Sequence, residues 1–506
     1  MAVDRSAELM QALVAKLYAT VTGNGDGKIV LPRSKFVSWC SPGIPFTKED
    51  FHFASQGLIG DTAEATRALE HQAWTIAKLF DYIPEVGEAG FIDETMQQTI
   101  FSSTQDTISK VFSDVLKFSK VLDNELSEEE KAKLQKFRDL LVVEKENILG
   151  DKVTVPGPIV EAYNAKMNEW LDAVDEYCTV LVDAQSAKGS DPEAIRRVAM
   201  FSNKAASLIR KVHAAEGAWV TQGYKNEYEQ IQAYMAQVTE KSLVLYKEDL
   251  KQKLANAKKT STNEGAAGEY YYTTLLPGNF AESTAWTKFT YYEQDYETHS
   301  KKDTSQWGVK AGVSFGLFSF GANAGGSRVE QSMDIQAASF RAQFEFTQIP
   351  IVRPWFDPGF FTMRAWTLDD AWNLNFDKGV SDGQAIPVGR LVAYPVTALF
   401  VRNLKITLDE SDSHTKYINE QISAGGTVGW GPFQVGGSYK HGNEQRDFKS
   451  HAEGGEISFE GIQLVGLINN LIPKSPNTNP AIRPDQFVGG ASVIDAEAEQ
   501  DPEPTP

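Results

Sequence analysis

The chain has few of the residues that mark an oxidised extracellular protein or a metal centre. Among its 506 residues are two cysteines, Cys40 and Cys178, and seven histidines. Two cysteines exclude a disulfide framework, and we expect two buried thiols in a reducing compartment. The histidines form neither an HExxH motif nor a spaced Cys/His set. The sequence therefore predicts no metal site and no cofactor, and because it also lacks a catalytic motif we expect a protein that is not an enzyme.

Positive charge and long apolar runs are also scarce. The chain has 49 Lys and Arg against 68 Asp and Glu, a formal net charge of −19. Nucleic-acid binding needs a basic surface, so we expect no nucleic-acid partner. No stretch approaches the 18 or so apolar residues of a transmembrane helix, and residues 1–10 lack the apolar core of a signal peptide. We therefore expect synthesis as a soluble cytoplasmic protein, with any export by lysis or by a dedicated secretion or injection machine.

Hydrophobic periodicity divides the chain into a helical part and a β-rich part. Residues 1–150 alternate short helical patterns with turns and predict a helical domain. Residues 151–260 predict a long antiparallel helical hairpin, because apolar residues recur at spacings of three and four on both sides of a turn. Residues 261–472 read as an antiparallel β domain, and 473–506 as a Pro-rich, acidic, disordered tail. The predicted fold class is α+β, multidomain, with an all-helical N-terminal region.

The β-rich part contains an internal duplication. When the sequence is shifted by 115 positions, eleven of the fifty residues in 299–348 are identical to their counterparts, without a gap. Duplication is the simplest explanation. Each unit, about 285–352 and about 400–467, is predicted to hold a strand, a polar stretch, a Gly-rich hairpin, a second polar stretch and a closing strand.

One histidine precedes each hairpin at the same position of the repeat, His299 in the first unit and His414 in the second. Because imidazole titrates near pH 6.5, the two are candidate pH sensors that release the hairpins in an acidic compartment. The alternative is a polar residue inherited with the duplication.

The two hairpins, about 306–325 and about 421–440, are amphipathic. Along each arm an apolar residue alternates with Gly, Ser, Thr, Asn or Gln, with interruptions in the second hairpin. An arm of about nine residues has nearly the length that a tilted strand needs to cross hydrocarbon. The predicted lipid-facing residues are Trp307, Val309, Val313, Phe315, Phe318 and Phe320 in the first hairpin, and Ile422, Val428, Trp430, Phe433 and Val435 in the second.

These features predict a membrane-interacting protein of the pore-forming type. The hairpins would have to join a closed oligomeric barrel, because a bilayer offers no partner for free backbone groups. In outline, residues 285–470 resemble two-hairpin β-pore-forming proteins, in which each protomer contributes two membrane hairpins from one sheet. The predicted partners are thus a lipid membrane and further copies of the chain. The alternative is a non-enzymatic structural, cargo or adaptor protein whose hairpins pack face to face in a soluble β core.

Overall fold

A computed structural model describes residues 10, 12–14, 16–17, 20, 34–84, 86, 91–92, 106–123, 128–146, 152–186, 192–261, 268–292, 318–321, 329–331, 340–409, 413–424, 426–436, 438–441, 444–447 and 450–490. Over these residues the fold is mixed α+β with several antiparallel sheets, which confirms the predicted α+β multidomain class. The chain forms two compact units. The larger one comprises residues 1–121 and 250–506, and the smaller one comprises residues 122–249.

The described helices are α1 (helical at residues 10, 12–14, 16, 17 and 20), α2 (His52–Gln56), α3 (Ala63–Phe80), α4 (Ile108–Phe118), α5 (Glu128–Leu141), α6 (Pro158–Ser186), α7 (Pro192–Thr221), α8 (Lys225–Lys241), α9 (Leu243–Ala257), α10 (Gly359–Thr362), α11 (Asp370–Asn375) and α12 (Ser413–Ser423), with 3-10 turns at Glu49–Phe51 and Pro484–Gln486.

The described strands are β1 (Lys35–Phe46), β2 (Phe91–Ile92), β3 (Ser119–Leu122), β4 (Val142–Glu146), β5 (Lys152–Pro156), β6 (Lys258–Ser261), β7 (Gly268–Tyr271), β8 (Thr274–Leu275), β9 (Thr287–Tyr291), β10 (Phe318–Gly321), β11 (Val329–Gln331), β12 (Arg341–Val352), β13 (Trp366–Leu368), β14 (Ala393–Thr407), β15 (Thr427–Trp430), β16 (Phe433–Gly436), β17 (Ser438–His441), β18 (Glu444–Asp447), β19 (Ser450–Glu453), β20 (Glu456–Leu471) and β21 (Phe487–Val488).

A central antiparallel sheet organises the larger unit. Strand β14 lies between β20 and β12, and β1 pairs with the other side of β20. Strands β9 and β8 pair with opposite ends of β12. Strand β19 pairs with β20, and the short β2 runs parallel to β1. The long strands are rich in Val, Ile, Leu and Phe, as expected for strands buried inside a domain.

The two faces of this sheet contribute to two separate hydrophobic cores. Along β14, Leu399, Val401, Leu404 and Ile406 belong to one core, and the face that carries them is called face A. Ala398 and Phe400 belong to the other core, on face B, which α2 and α3 cover. Residues 393–401 are nearly all buried because both faces are covered there. From 403 to 407 buried positions alternate with exposed or partly exposed ones, so face A is the better covered side at that end of the sheet.

The N-terminal region is not all-helical, so the prediction for residues 1–150 was wrong in that respect. Strand β1 belongs to the central sheet, and β4 and β5 form a hairpin. Strand β1 was not predicted because it contains Ser41-Pro42-Gly43, and Pro and Gly usually indicate a turn. Here they form a bulge, at which the pairing with β20 shifts between Trp39 and Ile44.

The smaller unit contains an antiparallel pair of long helices. Tyr163, early in α6, contacts Trp219, late in α7, with ring centroids 5.3 Å apart, whereas Tyr177 contacts Phe201 at 6.2 Å. All four residues belong to the apolar series at spacings of three and four that predicted this helical hairpin, a heptad seam, which therefore forms the contact between the helices. Helix α7 ends at Thr221, and α8 begins at Lys225 after a residue with positive φ, Tyr224.

The predicted tail is ordered over its first part. Residues 473–490 are described, and the buried Ser475 donates a hydrogen bond to the carbonyl of Phe361 at 2.6 Å. Ser475 also forms an isolated bridge with Ser381. The prediction of disorder from residue 473 was therefore wrong, because proline content does not reveal that a segment packs against a domain. Residues 491–506 lie outside the described part.

A buried arginine connects β12 to α3 and β14 at the end of the sheet far from Thr407. Arg353 donates hydrogen bonds to the carbonyls of Phe80 and Pro395, both at 2.7 Å. Next to Phe80, the buried Asp81 accepts hydrogen bonds from the backbone and hydroxyl of Ser109. Burial raises the pKa of Asp81, although these hydrogen bonds and the charge of Arg353 act in the opposite direction. This cluster joins three elements without any exposed charge.

Candidate membrane-insertion segments

Two long segments leave the central sheet at the same end. Insert A (292–340) connects β9 to β12, and insert B (408–455) connects β14 to β20. In both cases the insert joins two strands that are hydrogen-bonded neighbours. The pairs at the roots are Tyr291 with Ala342 and Thr407 with Glu456, and Arg341 pairs with Thr407 between them. The roots of both inserts therefore lie side by side on four adjacent strands.

The two inserts fold together into one small sheet. Its strand order is β11-β10-β15-β16, and β10 of insert A pairs with β15 of insert B. The remainder of insert B forms α12, the hairpin of β17 and β18, and β19. Several elements of the two inserts occur at the offset of 115 residues: β10 and β16 match at both ends, and β11 and β18 begin at equivalent positions.

Four of the predicted lipid-facing residues of insert B are part of the core on face A. Val428, Trp430 and Phe433 are fully buried and Val435 is 1% exposed. The ring of Trp430 lies 5.0 Å from that of Phe340, and the ring of Phe433 lies 5.4 Å from that of Phe344. The apolar side of this hairpin therefore covers the central sheet in the compact form.

Ile422 lies in a helix, so its assignment to a hairpin strand was wrong. It belongs to α12, where Ile418 and Ile422 are one turn apart and both are buried against face A. The sequence pattern around Ile422 fits either structure, because an apolar pair four residues apart satisfies both the strand period and the helix period. Packing on face A decides in favour of the helix, which ends before Gly425.

The opposite side of the insert B hairpin is buried as well. Gln434 is 2% exposed, and its backbone N–H donates to Gln463 Oε1 at 2.9 Å while its carbonyl accepts from Gln463 Nε2 at 2.8 Å. Gln463 is fully buried in β20. Its amide group thus pairs with the hairpin as a neighbouring strand would, and it satisfies two backbone groups that would otherwise be buried without partners. The expected water-facing side of this hairpin is therefore buried at Gln434, and the backbone beside it is hydrogen-bonded to the central sheet.

For the remaining predicted residues the structure describes the backbone alone or nothing. Phe318 and Phe320 lie in β10, whose backbone pairs with Trp430 and Val428 of β15. The backbone of His414 lies in the first turn of α12. Outside the described residues lie His299, Trp307, Val309, Val313 and Phe315.

The number of residues in the two arms of insert B matches the register of the central sheet at its root. Counting 23 residues forward from Thr407 and 23 backward from Glu456 leads to Trp430 and Phe433, which are paired at the tip across the turn of Gly431 and Pro432. For insert A, 24 residues from Tyr291 and Ala342 lead to Phe315 and Phe318, again with two residues between them. Each insert therefore has a length that allows one uninterrupted two-stranded extension.

Near the roots of the inserts, face B is polar. Arg402 Nε lies 2.7 Å from Glu345 Oε2, and Lys405 Nζ lies 2.6 Å from Glu456 Oε2. The same stretch of the sheet is apolar on face A, where the inserts cover it. This end of the sheet thus has one apolar face and one charged face. Neither the charged face nor the pairing of Gln463 with the hairpin was predicted, because both depend on which strands are neighbours.

Among the described residues, no helix is both long enough and apolar enough to cross a bilayer. Nor does any group of three His, Cys, Asp or Glu side chains in the described part of the chain form a possible metal site. No protein-family model, curated protein or solved structure matches the chain.

Proposed function

We propose that the protein is a non-enzymatic pore-forming protein in which inserts A and B straighten into two β-hairpins that continue the central sheet into a membrane. The observation that carries this proposal is the register. Thr407 pairs with Glu456 at the root of insert B and Trp430 pairs with Phe433 at its tip, and both pairs fit one two-stranded ladder of 23 residues on each side, with a one-residue shift at Val428. Straightening therefore breaks no pair among β9, β12, β14 and β20 and requires no slip at their roots, but it must open the four pairs of β19 with β20.

The apolar positions near the tips also have the same parity as those of the sheet at the roots. On face A the buried residues have even numbers at the end of β14, as in Leu404 and Ile406, and odd numbers at the start of β20, as in Ile457 and Phe459. The predicted lipid-facing residues of insert B continue both series: even on the outgoing arm and odd on the return arm. Insert A does the same, from Phe289 to Trp307 and from Phe344 back to Phe318. In straight strands all four arms would place their apolar residues on the side of face A.

The lengths of the arms fit a barrel of which one part crosses the membrane and the other part extends into water. An arm of 23 residues spans about 75 Å at about 3.3 Å per residue, of which the hydrocarbon core takes about 9–11 residues of a tilted strand. The alternation of apolar and small polar residues is confined to the part of each arm next to the tip. The parts near the roots, 292–306 and 408–421, are mainly polar, with the exceptions of Tyr292, Tyr296, Leu408, Tyr417 and Ile418. They would form the section of the barrel in water.

A two-hairpin sheet cannot cross a bilayer alone, because its two outer strands would expose unpaired backbone groups. Several copies must therefore close a ring. Release of the inserts would also expose the apolar residues of face A near Leu404 and Phe459, which costs free energy in water. This cost favours the compact form until a membrane or neighbouring copies replace the lost contacts.

The register provides a direct test. In the straight hairpin Lys416 lies opposite Asp447, whereas in the compact form these residues belong to α12 and β18. The double variant Lys416→Cys/Asp447→Cys should form a disulfide in high yield on liposomes, because Cβ atoms of opposite residues are about 4.5–5.5 Å apart. The matched control is Lys416→Cys/Glu444→Cys, which is three residues out of register, about 10 Å along the strand.

Dye release is measured on the same liposome samples, at pH about 7.4 and about 5.5 so that the histidine hypothesis is included. We expect leakage together with cross-linking of the in-register pair alone. Cross-linking of both pairs to the same extent, or of neither pair, would refute the straight hairpin. Absence of leakage and of lipid-bound oligomers would favour the alternative, a structural, cargo or adaptor protein. The burial of Val428 and Trp430 is the observation in favour of that alternative.

A further inference from the structure

Helix α1 contacts the tip of insert B and strand β9, at the root of insert A, and straightening of insert B would separate these two points. Near its start, Met10 is fully buried and packs on the turn of insert B: a β-carbon placed on Gly431 would lie 2.6 Å from Met10 Sδ. Six residues later, Lys16 Nζ donates a hydrogen bond to the carbonyl of Thr290 at 2.7 Å, at the root of insert A, and lies over the ring of Phe289. Leu13 and Val14, between these contacts, and Leu17, directly after them, are buried in the core on face A.

The distances make these contacts specific to the compact form. Six residues of α-helix span about 9 Å, so even with the reach of the Met10 and Lys16 side chains added, α1 holds Gly431 far closer to Thr290 than the length of an extended arm. In the straight hairpin, the turn at Gly431 would lie about 75 Å from the root of the insert. No arrangement of α1 satisfies both contacts once insert B is straight.

We propose that α1 is an autoinhibitory strap, which holds the tip of insert B against the root of insert A and must leave Gly431 before the hairpins can extend. This inference rests on the proposed pore-forming function. The strap also contacts an edge strand of the central sheet. Among the described strands, β9 has one neighbour, β12, and Lys16 binds β9 at Thr290. An edge strand is a site for pairing with another chain, so release of α1 would free both the hairpin and a sheet edge.

A disulfide can lock the strap in place. In a disulfide each sulfur lies about 3 Å from the β-carbon of its partner, since the S–S bond is about 2.05 Å long. A β-carbon at Gly431 would lie 2.9 Å from Met10 Cγ, which is the position that the sulfur of a cysteine at residue 10 would occupy. The double variant Met10→Cys/Gly431→Cys should therefore oxidise without a backbone shift, and its reduced form controls for the strain at Gly431, where φ is +52°.

A second pair of variants weakens the strap. Leu13→Asp places a charge at a fully buried position, and Thr20→Asp adds the same charge to an exposed position of the same helix. The first readout is amide hydrogen exchange of residues 427–436 in solution, without lipid. We expect Leu13→Asp to accelerate this exchange at least about tenfold, Thr20→Asp to leave it unchanged, and oxidation of the double-cysteine variant to slow it. Exchange of residues 398–401 serves as the internal reference and should stay constant in all variants.

The second readout is liposome leakage, which should be abolished in the oxidised double-cysteine variant and restored by reduction. Exchange in 427–436 that does not respond to Leu13→Asp or to oxidation would refute the strap, whatever the leakage. Leakage from the oxidised form at the rate of the reduced form would refute it as well. If the exchange responds as expected and no variant causes leakage, the pore-forming function fails and α1 remains a clasp of the compact inserts. If Leu13→Asp does not fold, the comparison of oxidised and reduced protein decides alone.

Discussion

The buried glutamine of β20 allows a quantitative prediction about the stability of compact insert B. Replacing Gln463 with Met keeps the side-chain length and removes both hydrogen bonds to Gln434, at 2.8 and 2.9 Å. A buried backbone group without a partner costs about 1–3 kcal/mol. Two such groups give about 2–6 kcal/mol, and the methionine regains part of this through apolar burial. We expect insert B to lose about 3 kcal/mol of stability relative to its open form.

Hydrogen exchange measures this quantity locally, which matters because a chain with two compact units need not unfold in one step. A loss of about 3 kcal/mol corresponds to exchange roughly 100-fold faster, since about 1.4 kcal/mol is a factor of ten. The reporters are those among the backbone amides of Val428, Trp430 and Val435 whose hydrogens exchange slowly in the wild-type protein. The amide of Gln434 is left out because the substitution removes its own acceptor.

The duplication supplies the matched control. Gln348 occupies the position of Gln463 in the first repeat and is exposed on β12. Gln348→Met should change stability by no more than about 0.5 kcal/mol, as surface substitutions usually do. If both variants accelerate exchange in 427–436 to the same extent, or if neither does, the pairing of Gln463 with the hairpin does not stabilise the compact form and the reasoning is wrong.

Three further predictions concern packing and charge. Trp430→Ala removes a fully buried side chain and should cost about 3–5 kcal/mol in urea unfolding of the larger unit; a loss below about 1 kcal/mol would show that the hairpin does not pack on face A. Gly43→Ala would place a methyl group 2.8 Å from the carbonyl of Pro432 and should cost about 1–3 kcal/mol, visible as a lower Tm, whereas an unchanged Tm would mean that β1 and the hairpin turn are not in contact. Burial raises the folded-state pKa of Asp81 above the unfolded value of about 3.9, so the aspartate binds its proton more tightly in the folded protein. Its stabilising effect is present below pH about 4 and is lost as the pH rises through the folded pKa. Asp81→Asn should remove this part of the pH dependence of urea unfolding, and identical pH profiles for the two proteins would contradict it.

How well the sequence predicted the structure depended on the range of the signal. The alternation in each arm is visible within a short stretch, and the offset of 115 residues follows from comparing two such stretches directly. Strands β10 and β16 do lie at that offset. The heptad seam of α6 and α7 likewise led to real contacts, such as that of Tyr163 with Trp219. These patterns are readable because a side chain's face follows from the period of its own element.

The misassigned elements share a different property. Strand β1 and helix α12 both owe their form to partners far along the chain: β20 for the strand, and face A for the helix. A bulge at Pro42 and an apolar pair at Ile418 and Ile422 are locally ambiguous. Non-local pairing and burial resolve such cases, and a single sequence does not display them.

By itself, the sequence determined that two stretches of alternating apolar and small polar residues recur at one offset, because alternation and repetition are properties of the order of the residues. The tertiary structure alone decided how the described parts of those stretches fold and where they lie. It buries both sides of the second hairpin, gives Gln463 a role that the equivalent and exposed Gln348 lacks, and places α1 across the hairpin turn. Identical residue types thus differ in function, because burial and hydrogen-bond partners depend on neighbours brought together from distant parts of the chain.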